Sequence, residues 1–347
     1  MMMHLSTGMT RRTFLTITAV AGGLLAAGGV ARLDSSAASS SETVTNSQPV
    51  TVRDERLLMG TVIHLAVVAP DAERGQAAIE ATFSAMERLI GLFDYRRADS
   101  ALGILNREGE LANPPTEFTA LLTQAQAISA LSDGAFDVTV QPLLDAYRQG
   151  ETDMTQANQL VDYRRLRVDE ERIWLEQPGM AVTLDGLAKG RVIDEAVTTL
   201  RQLGFDRVLV EAGGDVMGLG QRDKGLPWRV GVANPRPTTA AGQLLATLDL
   251  TDGALATSGD YMNYFVQDFS AHHIVDPRTG HSPTELASVT VMAPTAAEAD
   301  ALSTTFMVLG SAQGMALAAK LPNVEALFVT KTLQQFATSG FPKTTRS

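Results

Sequence analysis

An α+β fold, with mixed or antiparallel sheets and helices packed against them, follows from three features of this 347-residue sequence. Apolar strand-like runs and amphipathic helical runs are both numerous. They do not alternate in the strand–helix–strand order of a parallel sheet. Several strand-like runs are separated only by turn residues, as antiparallel hairpins are. With 45% hydrophobic and 19% charged residues, the chain can bury a large core and is not disordered. No turn-rich linker divides it after residue 50. One continuous unit over 51–340 is therefore expected, with two packed lobes as the alternative.

The first element is an address. Arg11-Arg12, then Phe14-Leu15 and a short apolar run rich in Ala and Gly, resemble a twin-arginine export signal over residues 1–36. The run is short for a membrane helix, although a retained anchor is the competing reading. Residues 37–50 are rich in Ser, Thr and Ala and read as a flexible linker. A β-branched run predicts a strand over 61–69. Ile79, Phe83, Met86, Leu89, Ile90 and Phe93 recur at helical spacing and predict a helix over 74–93. Phe118, Leu121, Leu122, Ala125 and Ile128 mark a second helix, closed by Ser132-Asp133-Gly134. The runs 173–175 and 181–184 flank Pro178-Gly179 and predict a hairpin. Ile193, Ala196, Val197, Leu200 and Leu203 stripe a third helix that stops at Gly204. Strands are predicted over 207–211, 228–232, 243–250, 288–292 and 325–330. Between the last two, a helix is expected over 296–309, then a shorter one through Leu317.

Composition narrows the chemistry. The absence of cysteine removes disulfides, thiolate metal sites and cysteine nucleophiles. A net charge of −11 argues against nucleic-acid binding, which needs a cationic face. Loss of the signal, with its three arginines and one aspartate, lowers the charge to −13. With five histidines and no cysteine, a bound metal is expected to be a hard cation held by oxygen.

Four polar, glycine-bearing stretches are candidates for a site. The first is Thr183-Leu184-Asp185-Gly186-Leu187-Ala188-Lys189-Gly190, between a strand and a helix. Its glycines permit close approach of a ligand, and Lys189 can meet a phosphate as a point charge. An ordinary turn with a solvated lysine is the competing reading. The second is Gly213-Gly214-Asp215, which opens no helix and reads by itself as a tight turn. The third joins Thr257-Ser258-Gly259-Asp260 to His272-His273-Ile274-Val275-Asp276-Pro277-Arg278. A histidine there can act as a general base. Zinc shared by His272, His273 and His281 is disfavoured, because adjacent residues of an extended chain point to opposite faces. The fourth runs from Thr295 to Thr304. Thr295 and Glu298 have capping-box spacing. Asp300 and Thr304 are one helical turn apart, so a carboxylate and a hydroxyl share a face as possible hard-cation ligands.

These stretches, with Met59-Gly60-Thr61 and Ser132-Asp133-Gly134-Ala135-Phe136-Asp137, fall in one order along residues 57–330. In that order the chain resembles the FAD:protein FMN transferase family, also called ApbE or Ftp. The resemblance implies that FAD is a substrate and that a divalent cation, Mg²⁺ with Ca²⁺ or Mn²⁺ as alternatives, sits at its diphosphate. It further implies that FMN passes to a threonine hydroxyl on an exported or membrane redox protein, with AMP released. An extracytoplasmic, periplasmic location and at most peripheral membrane association are expected. A Mg²⁺-dependent FAD pyrophosphatase and a flavin binder without turnover are the alternatives.

Carried over residue by residue, the resemblance gives Gly186 (through its carbonyl), Asp300 and Thr304 as metal ligands, with Ser303 close by. His273 becomes the base or orienting group, and Asp276 holds its imidazole or the loop. Flavin-nucleotide contacts are expected from Met59, Ala135, Phe136, Asp137, Thr183, Asp185, Lys189, Gly213, Gly214, Asp215, Ser258 and Ile274. Either Tyr95 or Arg96 takes the place of the family's ring-covering aromatic residue. The sequence departs from the family pattern at Thr183, where an aspartate is usual, and at Glu211-Ala212, where an asparagine is usual.

Overall fold

The computed structural model describes residues 48–237 and 243–342. The export signal, and the linker up to residue 47, lie outside the described residues. The β-branched start of the domain folds as a hairpin of β1 (Val50–Leu58) and β2 (Thr61–Ala69), turning at Met59-Gly60. Then come α1 (Ala72–Phe93), α2 (Ala101–Glu108), β3 (Glu110–Ala112), α3 (Thr116–Leu131), α4 (Gln141–Gln149), α5 (Thr155–Asn158), β4 (Leu166–Val168) and β5 (Arg172–Leu175). The second half carries α6 (Ala188–Gln202), β6 (Val208–Ala212), β7 (Asp215–Leu219), β8 (Trp228–Ala233), β9 (Leu244–Leu250) and β10 (Gly253–Gly259). It ends with β11 (Leu286–Ala293), α7 (Ala296–Ala318), β12 (Glu325–Thr330) and β13 (Gln335–Ala337).

The main sheet has the order β1-β2-β6-β7-β10-β11-β12-β13, and every neighbouring pair is antiparallel. The smaller sheets, β3-β5-β4 and β8-β9, are antiparallel too, so the α+β expectation holds and its antiparallel form is the one realised among the described residues. Alternation along each strand divides the core in two. Val208, Val210 and Ala212 face the large core that includes buried residues of α1, α6 and α7. Leu209 faces a second cluster, in which β8 and β9 cover the other side with Trp228, Val230 and Leu248. By length and composition α7 passes for a membrane span, but more than half of that apolar stretch is buried inside the protein, as a core helix is.

Two sequence expectations change, and one strand is added. Residues 181–184 form no strand: the amide of Asn106 takes both backbone groups of Val182, at 2.7 and 2.8 Å, where a partner strand would have bonded. The two expected C-terminal helices are one element broken at Gly310 (φ 76°, ψ 173°), and Glu285 accepts the Ser311 N–H where the helix resumes. The polar stretch 257–259, for which the sequence predicts no element, lies inside β10, a strand of the main sheet.

Candidate functional site

The site forms where the first turns of α6 and α7 touch. Gly190 makes this approach possible: a Cβ there would lie 2.2 Å from the Ala296 carbonyl oxygen. One turn on, Asp194 of α6 accepts the N–H groups of Ala296 and Ala297 at 2.7 and 3.0 Å, capping α7 from a neighbouring helix. Burial raises the proton affinity of the Asp194 carboxyl, and these two N–H bonds oppose the shift. Thr295 accepts the Glu298 N–H at 3.2 Å, the first half of the expected capping box.

This joint places charge and hydroxyls together. Gly190 N–H donates to Asp300 Oδ2 at 3.0 Å, and Asp300 Oδ1 lies 3.6 Å from Lys189 Nζ. Lys189 also pairs with the buried Asp215, whose other oxygen accepts the Thr257 N–H at 3.2 Å. Thr304 Oγ1 is 3.1 Å from Ser258 Oγ, which meets Ser303 Oγ at 2.8 Å. Gly186 packs against the same hydroxyl: a Cβ on it would lie 3.2 Å from Thr304 Oγ1 and 3.3 Å from the Phe136 ring. Asp300 is 4% exposed, so its charge is largely removed from water; among the described residues Lys189 is its one ion-pair partner, and that lysine is shared with Asp215.

The cluster forms part of the wall of a cavity of about 680 Å³. Met59, Tyr95, Arg96, Ala135, Phe136, Asp137, Thr183, Asp185, Lys189, Ser258, His273 and Ile274 all line it, as do Gly186, Asp300 and Thr304. Five expected residues do not. Gly213 and Gly214, at φ 58° and 104°, form the two-residue turn between β6 and β7, with both residues in the left-handed half of backbone space that such a hairpin requires. Asp215 lies beneath the wall as the anchor of Lys189. Ser303 is fully buried and donates to the Asp300 carbonyl at 2.9 Å. Asp276 holds Arg278 through two bonds of 2.8 Å, so it orders the loop and leaves the His273 imidazole to another partner.

That partner is the Asn263 carbonyl, which accepts both the backbone N–H of His273 at 2.9 Å and its Nδ1–H at 3.0 Å. The bond fixes the tautomer and leaves Nε2 with a free lone pair. Burial pushes the His273 pKa below the ordinary histidine value, which keeps the ring neutral. Sequence reasoning missed this flap of residues 261–271, whose Met262, Asn263, Tyr264 and Phe265 also line the cavity. One signal was there: two of the chain's five tyrosines fall within Tyr261–Tyr264.

His272 points the other way, as alternation requires. It is fully buried, bonded through Nε2 to the Pro283 carbonyl at 3.1 Å, and pushed down to about 4 by burial. Asp137 shifts oppositely: burial raises it to about 6 against bonds from Thr139 and Tyr163. Between pH 6.5 and 4 the unfolded chain protonates His272 while the folded chain does not, so acidification costs about 3 kcal/mol of stability. Over pH 6 to 3.8 the folded chain protonates Asp137 first, which offsets that loss. Asp137→Asn is therefore expected to steepen the decline in stability below pH 6, read by urea unfolding at several pH values. A decline no steeper than that of the unsubstituted protein contradicts the opposing shifts.

Among the described residues, no three His, Cys, Asp or Glu side chains converge as a metal cluster. One buried carboxylate, one hydroxyl and a glycine backbone form a sparse all-oxygen set, which suits a hard dication that keeps ligands from water and substrate phosphates.

The family model described as the ApbE family matches residues 59–328. The FAD:protein FMN transferase of Salmonella typhimurium is 33% identical over 292 residues, covering 78% of this chain and 81% of the relative. That of Escherichia coli K12 is 32% identical over 285 residues, covering 77% and 80%. Among solved structures, an ApbE protein of Thermotoga maritima superposes with a TM-score of 0.74 at 29% identity, covering 84% of this chain and 97% of its own. The flavin transferase ApbE of Vibrio cholerae also gives 0.74, at 26% identity, with coverages of 84% and 98%.

Proposed function

Because the chain belongs to the ApbE family, we propose that it acts as an FAD:protein FMN transferase that passes FMN from FAD to a threonine hydroxyl of an exported or membrane redox protein and releases AMP. The observation that carries this reading is the convergence of Asp300, Thr304, Gly186 and Lys189 on one cavity wall, with His273 on the same cavity.

In the reaction, the threonine oxygen forms a bond to the FMN phosphorus, the anhydride bond to AMP breaks, and AMP leaves with the bridging oxygen. A threonine hydroxyl is a weak nucleophile at neutral pH. Nε2 of His273 accepts its proton, while Nδ1–H stays on the Asn263 carbonyl and keeps the ring in place. Lys189, steadied by Asp215, meets diphosphate charge that the acidic chain would otherwise repel. Asp300 and Thr304, with the Gly186 carbonyl, would hold Mg²⁺ here. When bound, that cation neutralises diphosphate charge and stabilises the leaving group. Met59, Phe136 and Tyr95 supply apolar surface for the rings.

The twin-arginine-like segment supports export, placing the enzyme beside exported acceptors. Incubation with FAD, Mg²⁺ and a threonine-bearing flavoprotein domain, followed by intact mass of that domain, tests the reading. Gain of one FMN mass is expected. Accumulation of free FMN and AMP with no mass gain favours the pyrophosphatase, and no AMP at all favours a flavin binder.

A further inference from the structure

We propose that Arg236 and Lys331 are positioning residues that clamp the flap of residues 261–271 and thereby fix the orientation and tautomer of His273; the inference rests on His273 being the base of the reaction proposed above. Asp260, at the start of the flap, is fully buried. Arg236 holds it with two parallel bonds, Nη1 to Oδ1 at 2.9 Å and Nη2 to Oδ2 at 2.6 Å. Lys331 Nζ lies 3.6 Å from the same carboxylate. One buried negative charge thus faces two cations, one more than its neutralisation requires.

The surplus has a structural explanation at the far end of the flap. Lys331 Nζ donates to the Phe269 carbonyl at 2.7 Å, and the Arg236 guanidinium lies 4.4 Å from the centre of the Phe269 ring. Both cations therefore hold both ends of the segment. Phe269 itself has φ 61°, a conformation that a bulky residue keeps only when its surroundings impose it. The flap has no strand or helix of its own, and Met262, Tyr264 and Val266 are exposed, so burial alone does little to fix it. Midway, Phe265 stacks on Tyr147 at 5.1 Å, and Asn263 presents the carbonyl that receives Nδ1–H of His273. Loosening either end moves that carbonyl, and with it the lone pair of Nε2.

The direct test is the state of the His273 ring nitrogens in long-range ¹⁵N–¹H spectra of the labelled full chain, the signal being assigned by its loss in His273→Ala. The unsubstituted protein is expected to show Nδ1 protonated and Nε2 bare. In Arg236→Gln and in Lys331→Gln the ring is expected to become a mixture of tautomers, and chymotrypsin is expected to cut the flap faster at its Tyr and Phe residues. AMP release from FAD is expected to slow by about tenfold or more with the KM for FAD unchanged. Arg236→Lys, which keeps the charge, should recover part of each effect, and neither Gln variant should slow His273→Ala further. If Arg236→Gln does not fold, Lys331→Gln decides alone, since it leaves the Arg236–Asp260 pair intact. An unchanged His273 tautomer and unchanged flap cleavage in the folded variants overturn the proposal. A lost tautomer signature combined with full activity of His273→Ala would instead sink the base role and leave the clamp standing.

Discussion

Asp300→Ala is expected to remove Mg²⁺-dependent AMP release almost entirely, by a factor on the order of 10³ or more, because charge stabilisation at the diphosphate dominates this chemistry. The fold should survive. The substitution leaves the Gly190 N–H without its acceptor, which costs about 1–3 kcal/mol. It also frees Lys189 from one of its two carboxylates. Asp300→Asn separates these effects, since its amide oxygen still accepts from Gly190 but carries no charge. Rates titrated against Mg²⁺, with thermal unfolding alongside, read both. Normal metal dependence in Asp300→Ala means that Asp300 is not a ligand.

His273→Ala is expected to lower the rate by roughly 10²–10⁴-fold, the usual range for a general base, with little change in metal affinity. The pH dependence carries the sharper signature. Burial holds the His273 pKa below the ordinary 6.5, so the neutral ring persists through pH 7 and activity declines only as pH falls through its lowered value. In the alanine variant that acid limb should vanish, leaving a flat profile across the same window. A pH–rate profile with the same acid limb as the unsubstituted enzyme would rule out the base role.

How much of this was legible in the sequence depends on whether local spacing carried the signal. Asp300 and Thr304 were visible because a helix repeats every 3.6 residues, so i and i+4 share a face whatever the tertiary context. Lys189 and Gly186 were visible because glycine beside a helix start permits a close approach. The long amphipathic helices α1 and α6 were also plain from periodicity. What local spacing could not show were partners distant in sequence. Asp194 caps a helix that starts about a hundred residues later, and Asn106 takes the backbone of Val182, turning an apparent strand into a pinned loop. The clamp joins Arg236, Asp260 and Lys331, none of which has a local pattern. Asp215 and Ser303 touch residues of the cavity wall but do not line it themselves, because a motif specifies neighbourhood and not which side chain faces the cavity. β10 gave no strand signal for a related reason: Ser258 turns its hydroxyl to Ser303 and Thr304 while Thr257 bonds Thr290 of β11, so the strand lacks a clean apolar alternation.

Crystals soaked with FAD and Mn²⁺, measured at the manganese absorption edge, address the metal grip most directly. One anomalous peak is expected at about 2.0–2.2 Å from Asp300, Thr304 and the Gly186 carbonyl, touching the FAD diphosphate. A peak elsewhere, or none while FAD fills the cavity and Asp300 keeps only its Lys189 and Gly190 partners, would contradict it.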